Sequence, residues 1–331
     1  MRKPQLDKIY NDDCINILKK IPDNSIDLIV TSPPYAGKRG TNQVEKIPIK
    51  DYVKWFLPIS LGLLRILKPT GSFVLNIKEP AVKHERSTYV IELILRMREQ
   101  GWYWTEEYIW RKNTSFPGKW SNRFRDAWER CLHFTKNTEF KMNQDAVKIP
   151  IGEWAKSRLM KNNGTEKRKI TEMSKDDRKR RRSKSGSGLE RQVANWLDRD
   201  MVFPDNVLEF APIVNNKKKH SAAFPDELPE WFIKLFTDPG DLVLDPFIGS
   251  GTTAVAAVKL KRHYIGIEKQ KKYCDLSKIY LEIENIQSKK MKKQIMDIIK
   301  TAARTEDWKK SILEYKKLMT RKNSTLEHFN K

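Results

Sequence analysis

The sequence lacks the features that define several large classes of protein. Its 331 residues include only three cysteines, which lie far apart and form no C-x-x-C pair, so neither a disulfide framework nor a zinc ribbon is indicated. No apolar run approaches the roughly 18 residues that span a bilayer. The N-terminal MRKPQLDKIY has no apolar core of the kind found in signal peptides. We therefore expect a cytoplasmic protein in a reducing compartment.

Acidic residues are scarce relative to basic ones. The chain carries 65 Lys and Arg against 42 Asp and Glu, a formal net charge of +23. This balance favours a polyanionic partner, with nucleic acid as the leading candidate. A composition that is merely rich in lysine is the alternative.

Apolar runs typical of strands alternate with segments of helical periodicity. IDLIV (26–30), SFVLNI (72–77) and LVLD (242–245) are strand candidates, and 89–101 is an amphipathic helix candidate. The alternation predicts an α/β fold with a mostly parallel sheet and helices on both faces.

Two local breaks in this pattern are also predicted. K-P-T-G at 68–71 is typical of a turn. Pro58 lies inside the helical segment 51–67 and is expected to kink or restart that helix.

The composition changes near residue 141. Residues 161–191 are poor in apolar side chains and dense in Lys and Arg, which is typical of an insertion. The last segment, from about 284, is rich in lysine with helical periodicity. We divide the chain into 1–140, 141–215, 216–283 and 284–331.

The first motif is T-S-P-P-Y at 31–35, directly after the IDLIV strand. Two consecutive prolines cannot continue a sheet, because each lacks an N–H and has a fixed φ. Taken alone, the motif is equally consistent with a stiff turn.

The second motif is D-P-F-I-G-S-G at 245–251, between a strand and a helix. Glycines at such a turn let the backbone approach a ligand, and the helix N-terminus offers free N–H groups. Glu268 ends the next strand, where a carboxylate suits a ribose diol. Neither the full G-x-G-x-x-G pattern nor a P-loop is present. The motif favours a nucleoside site without a pyrophosphate; a tight structural turn is the alternative.

In this order the two motifs resemble the amino-methyltransferases of DNA in their beta arrangement, with S-P-P-Y before F-x-G-S-G. The connecting segment YIWRKNTSFPGKWSNRFRDAWERCLHFTK (108–136) resembles the W-x-K and F-T-K regions of the cytosine-N4 members. The resemblance covers roughly 1–140 and 217–283. It implies a circularly permuted, Rossmann-like methyltransferase that uses S-adenosylmethionine.

The resemblance assigns the reacting base to the first motif. The exocyclic amine of a base is conjugated with its ring and is a poor nucleophile. Ser32 Oγ and the Pro33 carbonyl would accept its two N–H groups, and a Pro-Pro step fixes that carbonyl. Tyr35 would stack on the base after it is flipped from the duplex. The predicted catalytic residues are Ser32, Pro33, Pro34 and Tyr35.

The resemblance assigns the cofactor to the second motif and its neighbours. Asp13 and Cys14 would meet the adenine edge, although Asp12 stands where the family often has Gly. H-S-A-A-F-P at 220–225 resembles the entry to the methionine site. The predicted cofactor contacts are Asp13, Cys14, Thr31, His220, Phe224, Asp245, Pro246, Phe247, Gly249, Ser250, Gly251, Thr252 and Glu268. No metal is predicted.

The implied partner is double-stranded DNA. The segments 1–140 and 216–283 would form the catalytic and cofactor-binding halves, and 141–215 the target-recognition region. A solvated basic loop is the alternative for 141–215. The C-terminal segment is interpreted either as a DNA-backbone clamp or as a helical hairpin packed on the sheet. The predicted DNA contacts are Lys38, Arg39, Lys112, Arg123, Arg125, Arg178, Arg180, Arg181 and Arg182.

Ser32 favours cytosine N4 as the target, because adenine-N6 members mostly carry Asp or Asn there; adenine N6 is the alternative. Cytosine-C5 chemistry is disfavoured, since no cysteine stands in a Pro-Cys-Gln context. An RNA or protein methyltransferase and an inactive nucleic-acid-binding protein are further hypotheses, the last opposed by the intact motifs. The expected setting is the prokaryotic nucleoid, with a separate restriction endonuclease as partner and a monomer or dimer as the assembly.

Overall fold

The structure is a computed structural model. It describes residues 4–37, 47–113, 124–152, 201–212 and 224–284, together with parts of 286–319. The chain forms two compact units, one of residues 1–143 with 206–331 and one of residues 144–205.

Twelve strands and six α-helices have defined bounds within residues 8–284, and further helical residues lie between 291 and 319. The strands are β1 (Lys8–Tyr10), β2 (Ile26–Thr31), β3 (Leu67–Ile77), β4 (Ala81–Val82), β5 (Glu85–Arg86), β6 (Tyr103–Lys112), β7 (Trp128–Thr135), β8 (Ile149–Pro150), β9 (Met201–Val202), β10 (Val207–Phe210), β11 (Leu242–Asp245) and β12 (His263–Ile267). The helices are α1 (Cys14–Leu18), α2 (Ile49–Ile66), α3 (Tyr89–Glu99), α4 (Glu227–Phe236), α5 (Thr252–Lys259) and α6 (Lys271–Glu284).

The larger unit is built on an eight-stranded sheet in the order β1-β12-β11-β2-β3-β7-β6-β10. The five strands from β1 to β3 are parallel to one another, and β7 is antiparallel to both β3 and β6. The last strands in the chain, β11 and β12, therefore lie between β1 and β2. This confirms the predicted α/β fold with its permuted motif order.

Helices cover both faces of this sheet. Adjacent residues of a strand point to opposite faces, and in β7 the Phe134 ring contacts Trp102 while the His133 ring lies 4.5 Å from Phe236 of α4. On the first side, α1, α2 and α3 pack together over a core that includes Phe56. The α4 and α5 helices pack on the other side.

The predicted turn at 68–71 is wrong, because β3 extends from Leu67 through it. Ile26 pairs with Leu67 and Leu28 with Ser72, so extra residues of β3 are accommodated by a shift of register. Gly71 suits this bulge: a Cβ there would lie 2.9 Å from the carbonyl oxygen of Asp27. A bulge of this kind combines turn-like residues with continued pairing.

Helix α2 continues through Pro58 from Ile49 to Ile66, so the helix does not restart there, and the alternative of a kink stays a prediction. Proline in a helix interior costs about 3 kcal/mol. Helix α2 buries one whole face, including Tyr52, Phe56 and Leu63. At about 1.5–3 kcal/mol for each large apolar side chain, this burial exceeds the cost of the proline.

Part of the C-terminal segment packs on α6. Ile295, Ile299 and Tyr315 are buried in one cluster with Leu276 and Tyr280 of α6. These residues therefore pack against the folded domain, as one of the two interpretations predicted, but they pack on α6 and not on the sheet as expected.

The smaller unit is described only near its two ends. A 3-10 turn spans Gln144–Val147, and β8 pairs antiparallel with β9. This unit lies inside the predicted insertion 141–215, whose role stays a prediction. Among the helices that the structure describes, none has the length and apolarity that a membrane crossing requires.

Candidate active site

The two motifs meet at one edge of the sheet. Strands β11 and β2 are parallel neighbours, and they end at Asp245 and Thr31, the first residues of the second and first motifs. Glu268 follows β12 on the other side of β11. In open α/β sheets, ligands bind at this carboxyl edge. The motifs therefore form one site although they are separated by more than two hundred residues.

A buried carboxylate joins the motifs. Thr31 Oγ1 donates to Asp245 Oδ1 at 2.6 Å, and Thr253 Oγ1 donates to Oδ2 at 2.7 Å. The backbone N–H of Phe247 also donates to Oδ1, at 3.0 Å. Burial raises the pKa of Asp245 to about 6, and these hydrogen bonds oppose that rise. Asp245 thus fixes the start of the second motif against the end of β2.

The second motif requires its glycines. Gly249 and Gly251 have φ values of 51° and 92°, which non-glycine residues rarely adopt. A Cβ on Gly251 would lie 2.7 Å from Ser277 Cβ of α6. The Gly249 N–H donates to Glu268 Oε2 at 3.0 Å. The loop is therefore held against both α6 and the end of β12.

Two hydroxyls at the start of α5 fit a polar ligand. Ser250 Oγ and Thr252 Oγ1 are buried and, among the residues described, have no hydrogen-bond partner. A buried polar atom without a partner costs about 1–3 kcal/mol. The two hydroxyls lie beside the N-terminus of a helix, which attracts negative charge. A ligand that carries a carboxylate, as the methionine part of S-adenosylmethionine does, fits these groups.

Glu268 and Asp13 follow β12 and β1, the two strands that lie beyond β11 on the side away from β2. Glu268 Oε1 accepts from the Gln270 N–H at 2.8 Å, and burial raises the pKa of Glu268. Asp13 caps α1, accepting from the Ile15 N–H at 3.0 Å. Asp12 is absent from the residues with positive φ, so the backbone there does not need the family's glycine.

The remaining cofactor candidates are largely apolar. Cys14 is buried, and burial raises the pKa of its thiol to about 12, so it stays protonated. Phe224 is buried, and the Phe247 ring lies 5.8 Å from Trp55 of α2. Their contacts with a cofactor stay predictions.

The first motif continues into a chain of polar side chains. Ser32 Oγ donates to the Tyr35 hydroxyl at 3.3 Å, and that hydroxyl lies 2.7 Å from Glu129 Oε2 and 2.9 Å from Asn76 Oδ1. Lys112 Nζ donates to Glu129 Oε1 at 2.6 Å. Burial, and then the Glu129 charge, raise the pKa of Tyr35 well above its usual value. Tyr35 is therefore a neutral hydroxyl.

Sequence reasoning missed Asn76 and Glu129. Asn76 stands in the otherwise apolar segment SFVLNI and Glu129 at the start of the strand segment ERCLHFTK, and both are buried. A polar residue at a buried strand position is a signal that could have been followed. Their contacts with Tyr35 span 41 and 94 residues of sequence, so no local pattern reveals them.

Few of the predicted DNA contacts can be located. Lys112 ends β6 at the site edge, where its ammonium pairs with Glu129. Arg125 is exposed just before β7. The other predicted positions, with His220 from the cofactor set, lie outside the described residues: Lys38, Arg39, Arg123, Arg178, Arg180, Arg181 and Arg182. All these DNA assignments stay predictions.

Comparisons with known proteins identify the family of this chain. A family model described as DNA methylase matches residues 26–279. The Type II methyltransferase M.BglII of Bacillus subtilis is 31% identical over 288 residues, which cover 83% of this chain and 69% of that protein. M.PvuII of Proteus hauseri is 29% identical over 304 residues, covering 86% of each. The solved PvuII DNA methyltransferase (cytosine-N4-specific) matches with a TM-score of 0.61 and 26% identity, covering 90% of this chain and 94% of that one.

The fold and site define a methyltransferase with permuted motifs. The chain belongs to the DNA methylase family, and it is an S-adenosylmethionine-dependent DNA methyltransferase. The suspected family and the expected cofactor are thereby confirmed.

Proposed function

We propose that this protein transfers a methyl group to the exocyclic N4 amine of cytosine in duplex DNA. Ser32 carries the proposal, because serine at this place in the motif is typical of cytosine-N4 enzymes. The similarity to the PvuII DNA methyltransferase, a cytosine-N4-specific enzyme, gives further support.

The hydrogen bonds of Ser32 suit this role. Its hydroxyl proton is directed to Tyr35, so the lone pairs of Oγ are available to accept an N–H of the base. The Pro33 carbonyl, fixed by the following proline, would accept the other N–H. Two acceptors on one conjugated amine draw its nitrogen toward a tetrahedral, more nucleophilic geometry.

The residues of the second motif would hold the cofactor. Bound S-adenosylmethionine supplies a methyl group activated by a sulfonium. Ser250, Thr252 and the N-terminus of α5 would bind its methionine carboxylate, and Glu268 its ribose hydroxyls. Asp13 and Cys14 would border the adenine.

The DNA would be recognised by the basic surface and the insertion. A net charge of +23 favours contact with phosphates, and Arg178–Arg182 offers guanidinium groups that can read guanine. We further propose a role in restriction-modification, because the relatives named above are Type II methyltransferases. The cognate endonuclease would act as a separate protein.

Adenine N6 is the second candidate target. The matching family model spans both amino-methylation types, as its label N6_N4 states. Ser32 and Pro33 could present the same two acceptors to adenine. Within the site, therefore, only the identity of Ser32 favours cytosine over adenine.

Mass spectrometry of nucleosides tests the proposal. DNA of varied sequence is incubated with the protein and S-adenosylmethionine, digested and analysed, with a reaction lacking the protein as control. We expect N4-methylcytosine. N6-methyladenine would overturn the target assignment and keep the reaction type, whereas no methylated nucleoside from any DNA would overturn the proposed function.

A further inference from the structure

Amine methylation leaves a proton to be removed. A nitrogen that begins with two hydrogens and gains a methyl group carries one proton more than the neutral product. A site that accepts this proton in the transition state gains about 100-fold to 10,000-fold in rate. The acceptor must be linked to the amine by hydrogen bonds.

The structure provides one continuous link from the predicted amine contact to a buried carboxylate. Ser32 Oγ donates to the Tyr35 oxygen at 3.3 Å, and the Tyr35 hydroxyl reaches Glu129 Oε2 at 2.7 Å. Each donor in this link is directed toward Glu129. A proton can therefore move along it by one step at each oxygen.

Asn76 gives the Tyr35 hydroxyl a hydrogen-bond acceptor after the proton has been transferred, as Glu129 does before the transfer. The Tyr35 hydroxyl has one proton but lies within reach of two acceptors, Glu129 Oε2 and Asn76 Oδ1. While Glu129 is charged, Tyr35 donates to the carboxylate, the stronger acceptor. Once Glu129 is protonated it can donate to the Tyr35 oxygen, and Tyr35 can then donate to Asn76. The Asn76 amide is held for this by its own donation to the Arg130 carbonyl at 3.1 Å.

Lys112 keeps the carboxylate oriented. Its ammonium donates to Glu129 Oε1 at 2.6 Å, leaving Oε2 directed at Tyr35. The titratable groups that interact with Glu129 come from several neighbouring elements. They are Lys112 of β6, Lys78 after β3, Tyr35 after β2, Tyr89 of α3 and Cys131 of β7.

We propose that Glu129 is the terminal proton acceptor for the methylated amine, acting through Tyr35 and Ser32. The amine gives one proton to Ser32 Oγ, Ser32 gives its own to the Tyr35 oxygen, and Tyr35 gives its own to Glu129 Oε2. Ser32 and Tyr35 each end with one hydroxyl hydrogen, as they began, and Glu129 ends neutral until solvent takes its proton. The proposal deepens the proposed function and rests on it.

Three variants test the relay: Glu129→Gln, Tyr35→Phe and the double variant. Single-turnover methylation is measured at saturating cofactor, and cofactor affinity is measured by calorimetry. We expect each single variant to lower the rate on the order of 100-fold with cofactor Kd unchanged. The double variant should be no slower than the slower single variant, because both changes break one link. Glu99→Gln, an exposed carboxylate paired with Arg96 on α3, is the matched control.

The pH profile separates proton transfer from a structural role. The wild-type rate should fall on the acid side as Glu129 becomes protonated, and Glu129→Gln should lose this acid limb. Glu129→Asp should restore the acid limb at a lower rate. Infrared difference spectra on acidification should show a protonated-carboxyl band that Glu129→Gln lacks.

The outcomes are distinguishable. Full activity of Tyr35→Phe, or an acid limb that persists in Glu129→Gln, would overturn the relay. Additive losses with lowered thermal stability would likewise overturn it in favour of packing. Failure of the proposed function is detected independently, as a wild-type protein that yields no methylated nucleoside.

Discussion

The cofactor side and the base side of the site are stabilised by different kinds of contact. On the cofactor side, the loop 245–253 and Glu268, carboxylates accept hydrogen bonds mainly from backbone N–H groups and threonine hydroxyls. On the base side, formed by Ser32, Tyr35, Asn76, Glu129 and Lys112, side chains contact side chains. A backbone-held loop is suited to binding a constant ligand, and a side-chain network to moving a proton.

The largest effect is expected where the cofactor side is broken through its backbone. Gly251→Ala places a Cβ 2.7 Å from Ser277 Cβ at a φ of 92°. The left-handed conformation costs about 1–2 kcal/mol, and the clash adds about 1–3 kcal/mol. We expect the free energy of unfolding to fall by about 3 kcal/mol and cofactor binding to be lost, as measured by urea unfolding and calorimetry.

Gly240→Ala is the matched control. Gly240 has a similar φ of 90°, but no atom lies within 4 Å of its added Cβ. In Gly240→Ala the free energy of unfolding should fall only by the cost of the left-handed conformation, about 1–2 kcal/mol. Cofactor affinity should be unchanged. Equal losses in the two variants would show that contact with Ser277 contributes nothing.

The sequence predicted the cofactor side better than the base side. Strand, glycine loop and helix follow one another from Leu242 to Lys259, so local pattern alone locates the loop. The base side depends on β7, which pairs antiparallel between β3 and β6, and sequence offers no register for such a pairing. Asn76 and Glu129 were therefore missed, whereas Ser32 and Tyr35 stand in one short motif and were named as candidates, with roles that stay predictions.

Removing one hydroxyl from each side should have different effects: the base-side change should lower the methylation rate, and the cofactor-side change should weaken cofactor binding. Ser32→Ala should lower the single-turnover rate on the order of 100-fold, with unchanged cofactor Kd. Ser250→Ala should instead raise cofactor Kd by about 10-fold, the value of one hydrogen bond, and leave the saturated rate close to wild type. Calorimetry and single-turnover assays measure both quantities. A loss of cofactor affinity in Ser32→Ala would show that the two sides are not separate.

The smallest expected effect is on the pH dependence of the free energy of unfolding. A residue near each side contributes to it, and the two contributions have opposite signs. Burial lowers the pKa of His133, on the base-side strand β7, from 6.5 to about 3. Below about pH 6.5, His133 therefore binds a proton in the unfolded chain but not in the folded chain. The free energy of unfolding consequently falls as pH falls. Asp245, with its pKa raised to about 6, gains stability over part of the same descent, because its folded carboxyl takes up a proton first.

His133→Gln isolates the contribution of His133 to the pH dependence of stability. Between about pH 7.5 and pH 5.5, the wild type should lose about 1.4 kcal/mol more than this variant, from the proton linkage of one group. Urea unfolding at each pH measures the difference. His84→Asn, at an exposed histidine with a φ of 72° that asparagine tolerates, should retain the wild-type slope. If His133→Gln has that slope too, the ring is protonated in the folded protein, and its 3.0 Å contact with Ser72 Oγ is then a donation from an imidazolium.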